Sequence, residues 1–166
     1  SSVEAVVDSA LEGINERAGL ILCGLYGAPP EVFMQLVKTA QKRPGVVGID
    51  LAGGPNKAHR YQLRDYAAAF QLAAEHGLGR TVHAAEGRAP EEIRDAVTLL
   101  LANRIGHGTT LLEDPKILDL VQQKQLTIEA CVTSNVHVGA IMRAEEHPLA
   151  QWLALGVRAC ICTDNT

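Results

Sequence analysis

Titratable and amide side chains follow several apolar runs of this sequence, each where the run ends. The run GVVGID ends in Asp50, and the run RTVHAAE carries His83 and Glu86. The run RIGHG carries His107, and CICTDN ends in Asp164 and Asn165. Imidazole and carboxylate groups bind catalytic zinc, and both also carry protons in hydrolases. If the runs are strands that converge, the pattern predicts a hydrolytic metal centre. His83 and Asp164 would then be metal ligands, and Glu86 and His107 would transfer protons.

Each of these residues has a plainer explanation when it is taken alone. A single strand-end histidine is more often a hydrogen-bonded structural residue, and Asp164 could cap the next helix. Gly106 and Gly108 could form a turn, although two glycines beside a histidine also let another group approach closely. These explanations work one at a time, but together they require four separate strands to end in such residues by accident.

Two protein ligands are fewer than the three that a catalytic zinc usually takes. The sequence also lacks an initiator methionine, and it stops where an apolar run meets the polar residues 163–166. We therefore expect the chain to be an excerpt of a longer protein that supplies the remaining ligands, and we expect the excerpt alone to be inactive.

Short apolar runs alternate with helical patterns along the whole chain. The runs are continuously apolar, as in a parallel sheet that is covered on both faces. Prolines and acidic residues at first turns and a glycine stop mark the helices. Helices are predicted over residues 31–42, 61–76, 90–102 and 149–155, and from residue 114 onwards.

This order of elements predicts an α/β fold, which is either a doubly wound sheet or a (β/α) barrel. In a barrel the carboxyl ends of all strands meet at one mouth, whereas a doubly wound sheet concentrates its site at one switch point. Titratable groups on four separate strands favour the barrel. Because no linker or repeat is visible, residues 1–166 are expected to belong to a single domain without an internal boundary.

The composition excludes several classes of partner. The net charge is −4 without a basic cluster, so no nucleic-acid partner is expected, and no apolar stretch is long enough to span a membrane. All four cysteines lie in apolar runs and are interpreted as reduced core residues of a cytoplasmic protein. Cys160 and Cys162 would face the same side of a strand, but core packing explains them better than metal binding does. The scarcity of aromatic residues, at 4%, predicts an aliphatic, alanine-rich core.

The ordered motifs DLAG, TVHAAE, IGHG, TSN and TDN resemble those of the adenosine deaminase family of zinc-dependent amidohydrolases. The family versions are close to DLAG, HAGE, GHG, SN and TDD. The match runs from about the first helix to the last residue with compatible spacing. The resemblance implies a (β/α)8 barrel of which this chain holds strands three to eight. It also implies two further histidine ligands for one Zn²⁺, on a first strand that this sequence lacks.

The resemblance assigns a role to each strand-end residue. His83 and Asp164 would bind zinc. Glu86 would be protonated and donate to purine N1 as C6 is attacked, which requires apolar or negatively charged surroundings. His107 would orient the attacking water and take its proton. The backbone N–H of Gly53 would contact the purine.

Two positions depart from the usual family motifs. Asn165 stands where many members have a second aspartate that binds purine N7, and an asparagine amide can donate to that acceptor directly. Ala85 replaces the glycine of HAGE, which adds one methyl group close to the site.

These observations predict zinc-dependent hydrolytic deamination of a 6-aminopurine nucleoside, with adenosine converted to inosine and ammonia. One alternative is deamination of adenine or of another modified 6-aminopurine nucleoside. Another is a non-catalytic binding scaffold, if the natural chain begins at Ser1. The expected small-molecule partners are the purine and water.

Overall fold

The computed structural model describes residues 2–164, which form seven α-helices and six strands. The helices are α1 (Val3–Ile14), α2 (Pro30–Ala40), α3 (Ala67–Glu75), α4 (Glu91–Leu100), α5 (Pro115–Gln123), α6 (Val132–His137) and α7 (Leu149–Ala154). The strands are β1 (Leu20–Leu25), β2 (Val46–Ala52), β3 (Gly79–Ala84), β4 (Arg104–His107), β5 (Thr127–Ala130) and β6 (Arg158–Ile161). Within this described range, none of the helices has the length and apolar character needed to cross a membrane.

The six strands form one parallel sheet in which every strand lies beside its neighbours in sequence, in the order β1 to β6. A doubly wound sheet would change direction at a switch point, and its strand order would not follow the sequence. The prediction of a parallel α/β fold is confirmed, and the sequential order favours the barrel connectivity. The inner strands are largely buried, whereas β1 and β6 carry exposed side chains such as Leu25 and Ile161.

By its contacts the chain divides into two compact units. The first contains residues 1–81 and 99–101, and the second contains residues 82–98 and 102–166. The expectation of a single domain over residues 1–166 stays a prediction.

The buried hydrophobic residues of the described chain are mostly aliphatic, with many alanines, as the composition predicted, and the first unit adds one aromatic cluster. Phe33 and Phe70 stack with ring centroids 5.2 Å apart, and Tyr66 meets Phe33 edge-on at 5.8 Å. All three residues are almost completely buried. These three aromatic residues form one cluster because α2 and the segment around α3 bring them together.

The buried face of α3 is not the one that helical spacing over residues 61–76 predicts. That spacing puts Leu63, Ala67, Phe70 and Ala74 on one face, whereas the buried residues of α3 are Ala69, Phe70 and Ala73. The reason is a 3-10 turn over Leu63–Tyr66. It winds three residues per turn instead of 3.6, so the helix that follows starts at another angle.

We expect Tyr66→Phe to destabilise the first unit. The Tyr66 hydroxyl donates to the Ala28 carbonyl at 2.7 Å and accepts the Gly27 N–H at 2.8 Å. The substitution leaves both backbone groups without this partner, which costs about 1–3 kcal/mol of unfolding free energy. Urea unfolding measures the change. Tyr61→Phe is the control, because that ring lies under Arg60 and keeps this contact as phenylalanine. Equal stability of the two variants would contradict the prediction.

The cysteines are free thiols, as predicted, but only one of them is fully buried. Cys131 is buried, Cys160 and Cys162 are half-buried, and Cys23 is exposed on β1. The core interpretation of Cys23 is therefore wrong, because alternate side chains of β1 point to opposite faces and Cys23 lies on the open one. The sulfur atoms of Cys160 and Cys162 lie 3.8 Å apart, which confirms that they share a face.

His147 lies just before α7 and is buried against the Trp152 ring. Its Nδ1 accepts the N–H of Leu149 at the start of that helix. This burial lowers the pKa of His147.

Candidate active site

His83, Glu86, His107 and Asp164 all lie in the second unit, at or just beyond the ends of strands. His83 is the penultimate residue of β3, Glu86 follows that strand by two residues, and His107 ends β4. Asp164 follows β6. The rule that carboxyl ends of parallel strands share one edge therefore holds for these residues.

The two histidines are in direct contact. His107 Nε2 lies 3.2 Å from His83 Nδ1, and the rings meet edge-on at 4.6 Å between centroids. Gly106 makes this contact possible, because a Cβ at that position would come within 2.9 Å of the His83 ring. The glycine before His107 in the GHG motif is thus a packing requirement as much as a turn signal.

Glu86 is linked to His107 through the amide of Asn135. Asn135 Nδ2 donates to Glu86 Oε1 at 3.2 Å and lies 3.0 Å from His107 Nδ1. Glu86 Oε1 is itself 3.3 Å from His107 Nδ1. These three side chains therefore form one hydrogen-bonded group, in which Glu86 is 15% exposed and the other two are buried.

Asn135 has no assigned role from the sequence, although the TSN motif contains it. β5 ends at Ala130, and Asn135 lies in the helix α6 that follows it. Its Oδ1 is buried without a hydrogen-bond partner among residues 2–164. Rotation of the amide by 180° would place Oδ1 where it can accept from a protonated Glu86 and from His107. The amide can therefore serve either protonation state of Glu86.

Asp164 is held by Ser134 and lies close to His107 and Cys131, two side chains of types that bind metals. Ser134 Oγ donates to Asp164 Oδ2 at 2.7 Å. Among residues 2–164, one group of three potential metal ligands was found, in which the ligand atoms of His107, Cys131 and Asp164 lie within 4.8 Å of one another. Burial raises the pKa of the Cys131 thiol to about 12, and the nearby Cys162 and Asp164 add to the effect. This group differs from the predicted pair, since it holds Cys131 and His107 rather than His83.

Three residues around the site have left-handed backbone conformations that only glycine adopts easily. The φ angles are +56° at Ala85, +70° at His107 and +57° at Asp164. Each such residue costs of order 1–3 kcal/mol, so the surrounding contacts must hold it in place. At Ala85 the conformation explains why the usual family residue is glycine.

A cleft of about 290 Å³ opens beside Glu86. It is lined by residues 86–88, which follow β3, and by residues 138–140, which follow α6. Glu86 therefore lies where a small molecule can reach it.

The structure describes one of the two predicted substrate-binding residues. Gly53 lies in the first unit directly after β2, with a φ of +85° that favours glycine independently of any ligand. Asn165 lies outside the described residues. Their contacts with a purine stay predictions, as do the individual roles of His83, Glu86, His107 and Asp164.

The whole sequence, residues 1–166, matches the family model described as adenosine deaminase. The adenosine deaminase of Clostridium kluyveri is 39% identical over 155 residues, which are 92% of this chain and 44% of that protein. The chain thus spans about half the length of the curated relatives that it matches.

Solved structures give the same picture of the fold. An adenine deaminase from Arthrobacter aurescens aligns with a TM-score of 0.81 and 27% identity over 96% of this chain and 49% of its own. The N6-methyl-AMP deaminase of Arabidopsis thaliana aligns with a TM-score of 0.84 over 99% of this chain and 52% of its own. Its identity is 24%, so this second likeness concerns the fold alone. The six strands therefore correspond to part of a (β/α)8 barrel.

Proposed function

Because this chain belongs to the adenosine deaminase family, we propose that the intact protein is a zinc-dependent hydrolase that deaminates a 6-aminopurine nucleoside, with adenosine preferred. In this reaction water replaces the amino group at C6. The C6–N bond breaks, a C6–O bond forms, and inosine and ammonia leave.

The side chains of the second unit fit a zinc ion. Imidazole, thiol and carboxylate groups within 4.8 Å of one another are the donor types that zinc binds. The bond from Ser134 to Oδ2 orients the Asp164 carboxylate, as outer hydrogen bonds do in metal sites. His83 borders this group, since its Nδ1 lies 3.2 Å from His107 Nε2. We assign His83 and Asp164 as ligands, together with the two further histidines that the family resemblance implies, and leave His107 for proton transfer. When bound, zinc acidifies water, so that a nucleophile is available at neutral pH.

The other two residues carry protons. His107 is buried and ends β4, and it accepts the proton of the attacking water. Glu86 faces the cleft and donates a proton to purine N1, which draws electrons away from C6 and makes that carbon easier to attack. Asn135 holds both groups at their separation of 3.3 Å.

The observation that carries this proposal is the hydrogen-bonded contact between Glu86, Asn135 and His107. Cys131 and Asp164, whose side chains are of types that bind zinc, place their ligand atoms within 4.8 Å of His107. A binding scaffold without catalysis would have no need for an acid and a base at hydrogen-bond distance. The free cysteines agree with a reducing compartment, and we place the enzyme in the cytoplasm.

A second candidate is deamination of the free base adenine. The adenine deaminase of Arthrobacter aurescens is 27% identical to this chain, and the site described above contacts only the base in our assignment. Adenosine and adenine differ by the ribose, which none of the assigned residues contacts.

An absorbance assay on the intact protein distinguishes these candidates. We expect the ultraviolet spectrum of adenosine to shift to that of inosine in zinc-loaded enzyme, and we expect slower turnover of adenine and N6-methyladenosine. Turnover of adenine with little turnover of adenosine would show that the enzyme is an adenine deaminase, the second candidate. No turnover of any of the three, in protein that is folded and contains zinc, would contradict it.

A further inference from the structure

The segment that carries Glu86 is hydrogen-bonded to Thr109, which lies in the loop that follows β4. Thr109 Oγ1 donates to the Ala85 carbonyl at 3.0 Å and accepts the Gly87 N–H at 2.8 Å. One hydroxyl group therefore bridges the residue before Glu86 and the residue after it. This bridge restricts the backbone of Glu86 on both sides.

Glu92, in the first turn of α4, holds the same segment from the other direction. Its Oε2 accepts the N–H of Ala85 at 2.8 Å, and its carboxylate accepts from Arg88 Nε at 2.9 and 3.1 Å. Ala85 is the residue with the left-handed φ of +56°, a conformation that is unfavourable for alanine because of its Cβ. The Glu92 bond therefore stabilises a backbone conformation that alanine would otherwise leave.

Arg88 extends this contact to the carboxyl of Glu86. Arg88 Nη1 lies 3.8 Å from Glu86 Oε2, on the opposite oxygen from the one that Asn135 contacts. Glu92 thus acts on Glu86 in two ways, through the backbone at Ala85 and through the guanidinium of Arg88. In the acidic first turn of α4, Glu92 therefore holds Ala85 and Arg88 in addition to interacting favourably with the helix dipole.

We propose that Glu92 and Thr109 are positioning residues for Glu86. They hold the proton donor at the place where it meets purine N1, and they touch neither substrate nor metal. The inference rests on the proposed function, in which Glu86 is that donor. The effect should be large for such distant contacts, because a displacement of about 1 Å at a catalytic group costs roughly 10²-fold in rate.

Two matched pairs of variants of the intact, zinc-loaded protein test this proposal. Thr109→Val keeps the side-chain shape and loses both hydrogen bonds, whereas Thr109→Ser keeps the hydroxyl. Glu92→Gln keeps an acceptor for Ala85 and loses the charge that holds Arg88, whereas Glu91→Gln changes an exposed neighbour in the same turn. The measurements are kcat, KM, zinc content and thermal unfolding with adenosine as substrate.

We expect Thr109→Val to lower kcat by about 10–100-fold and Glu92→Gln to lower it by about tenfold, with KM within about threefold of wild type. Thr109→Ser should restore most of kcat, and Glu91→Gln should leave it unchanged. Zinc content should stay the same in all four variants. A merely structural role would change thermal unfolding without this division between kcat and KM.

Wild-type kcat in both Thr109→Val and Glu92→Gln would overturn the inference, and so would a loss of activity that appears in KM alone. If Thr109→Val does not fold, Glu92→Gln decides by itself, since it preserves side-chain volume. These outcomes are separate from the proposed function, which fails only if Glu86→Gln remains active or the intact enzyme deaminates no purine.

Discussion

Replacement of Glu86 by glutamine should abolish most of the deaminase activity while the protein remains folded. A glutamine keeps the size of the side chain, and its Oε1 can still accept the hydrogen bond from Asn135, which is 3.2 Å long in this structure. It cannot give a proton to purine N1. Because positioned proton transfer contributes typically 10²–10⁴-fold, we expect kcat to fall by about 10³-fold in the steady-state absorbance assay with adenosine.

Glu145→Gln is a suitable control for this experiment. It removes one carboxylate from an exposed position in the same unit, so the change in net charge is matched without a change at the site. Its kcat and KM should equal those of the wild type. If Glu86→Gln retained turnover close to that of Glu145→Gln, Glu86 would not be the proton donor, and the proposed mechanism would have to be abandoned.

The second large effect concerns the metal. We expect His83→Ala and Asp164→Asn to lower zinc affinity by well over tenfold, since even outer hydrogen-bond partners of ligands contribute 10–100-fold. In Asp164→Asn the side chain can still accept the 2.7 Å hydrogen bond from Ser134 Oγ. A loss of zinc in this variant would therefore come from the missing negative charge rather than from a broken hydrogen bond. Zinc per chain is measured by mass spectrometry after dialysis against a weak chelator, so the result does not depend on activity.

Cys131→Ser distinguishes the two ligand sets that the second unit offers. The predicted set uses His83 and Asp164, whereas the side chains within 4.8 Å of one another are His107, Cys131 and Asp164. We expect Cys131→Ser to keep its zinc. Loss of zinc in Cys131→Ser, together with normal zinc in His83→Ala, would show that the thiol is a ligand and that His83 is not.

Much of the fold follows from local patterns in the sequence. Continuous apolar runs separated by helices predict a parallel α/β sheet, because only strands covered on both faces can lack alternation. The strand-end rule then predicts that residues such as His83 and His107 gather at one edge. The structure agrees, with 3.2 Å between His107 Nε2 and His83 Nδ1. Helix rotation was less predictable, as the 3-10 turn before α3 changed its buried face.

The sequence by itself determined which polar residues follow which strand. It also determined the family, because the motifs DLAG, HAAE, GHG, TSN and TDN are recognised from their order and spacing along the chain. Tertiary structure alone decided which side chains support those groups. Asn135 reaches Glu86 from α6, across 49 residues, and Thr109 and Glu92 hold the segment around Glu86 from two other elements. The physical reason is that periodicity and turn chemistry act over a few residues, whereas hydrogen bonds between separate elements depend on how those elements pack.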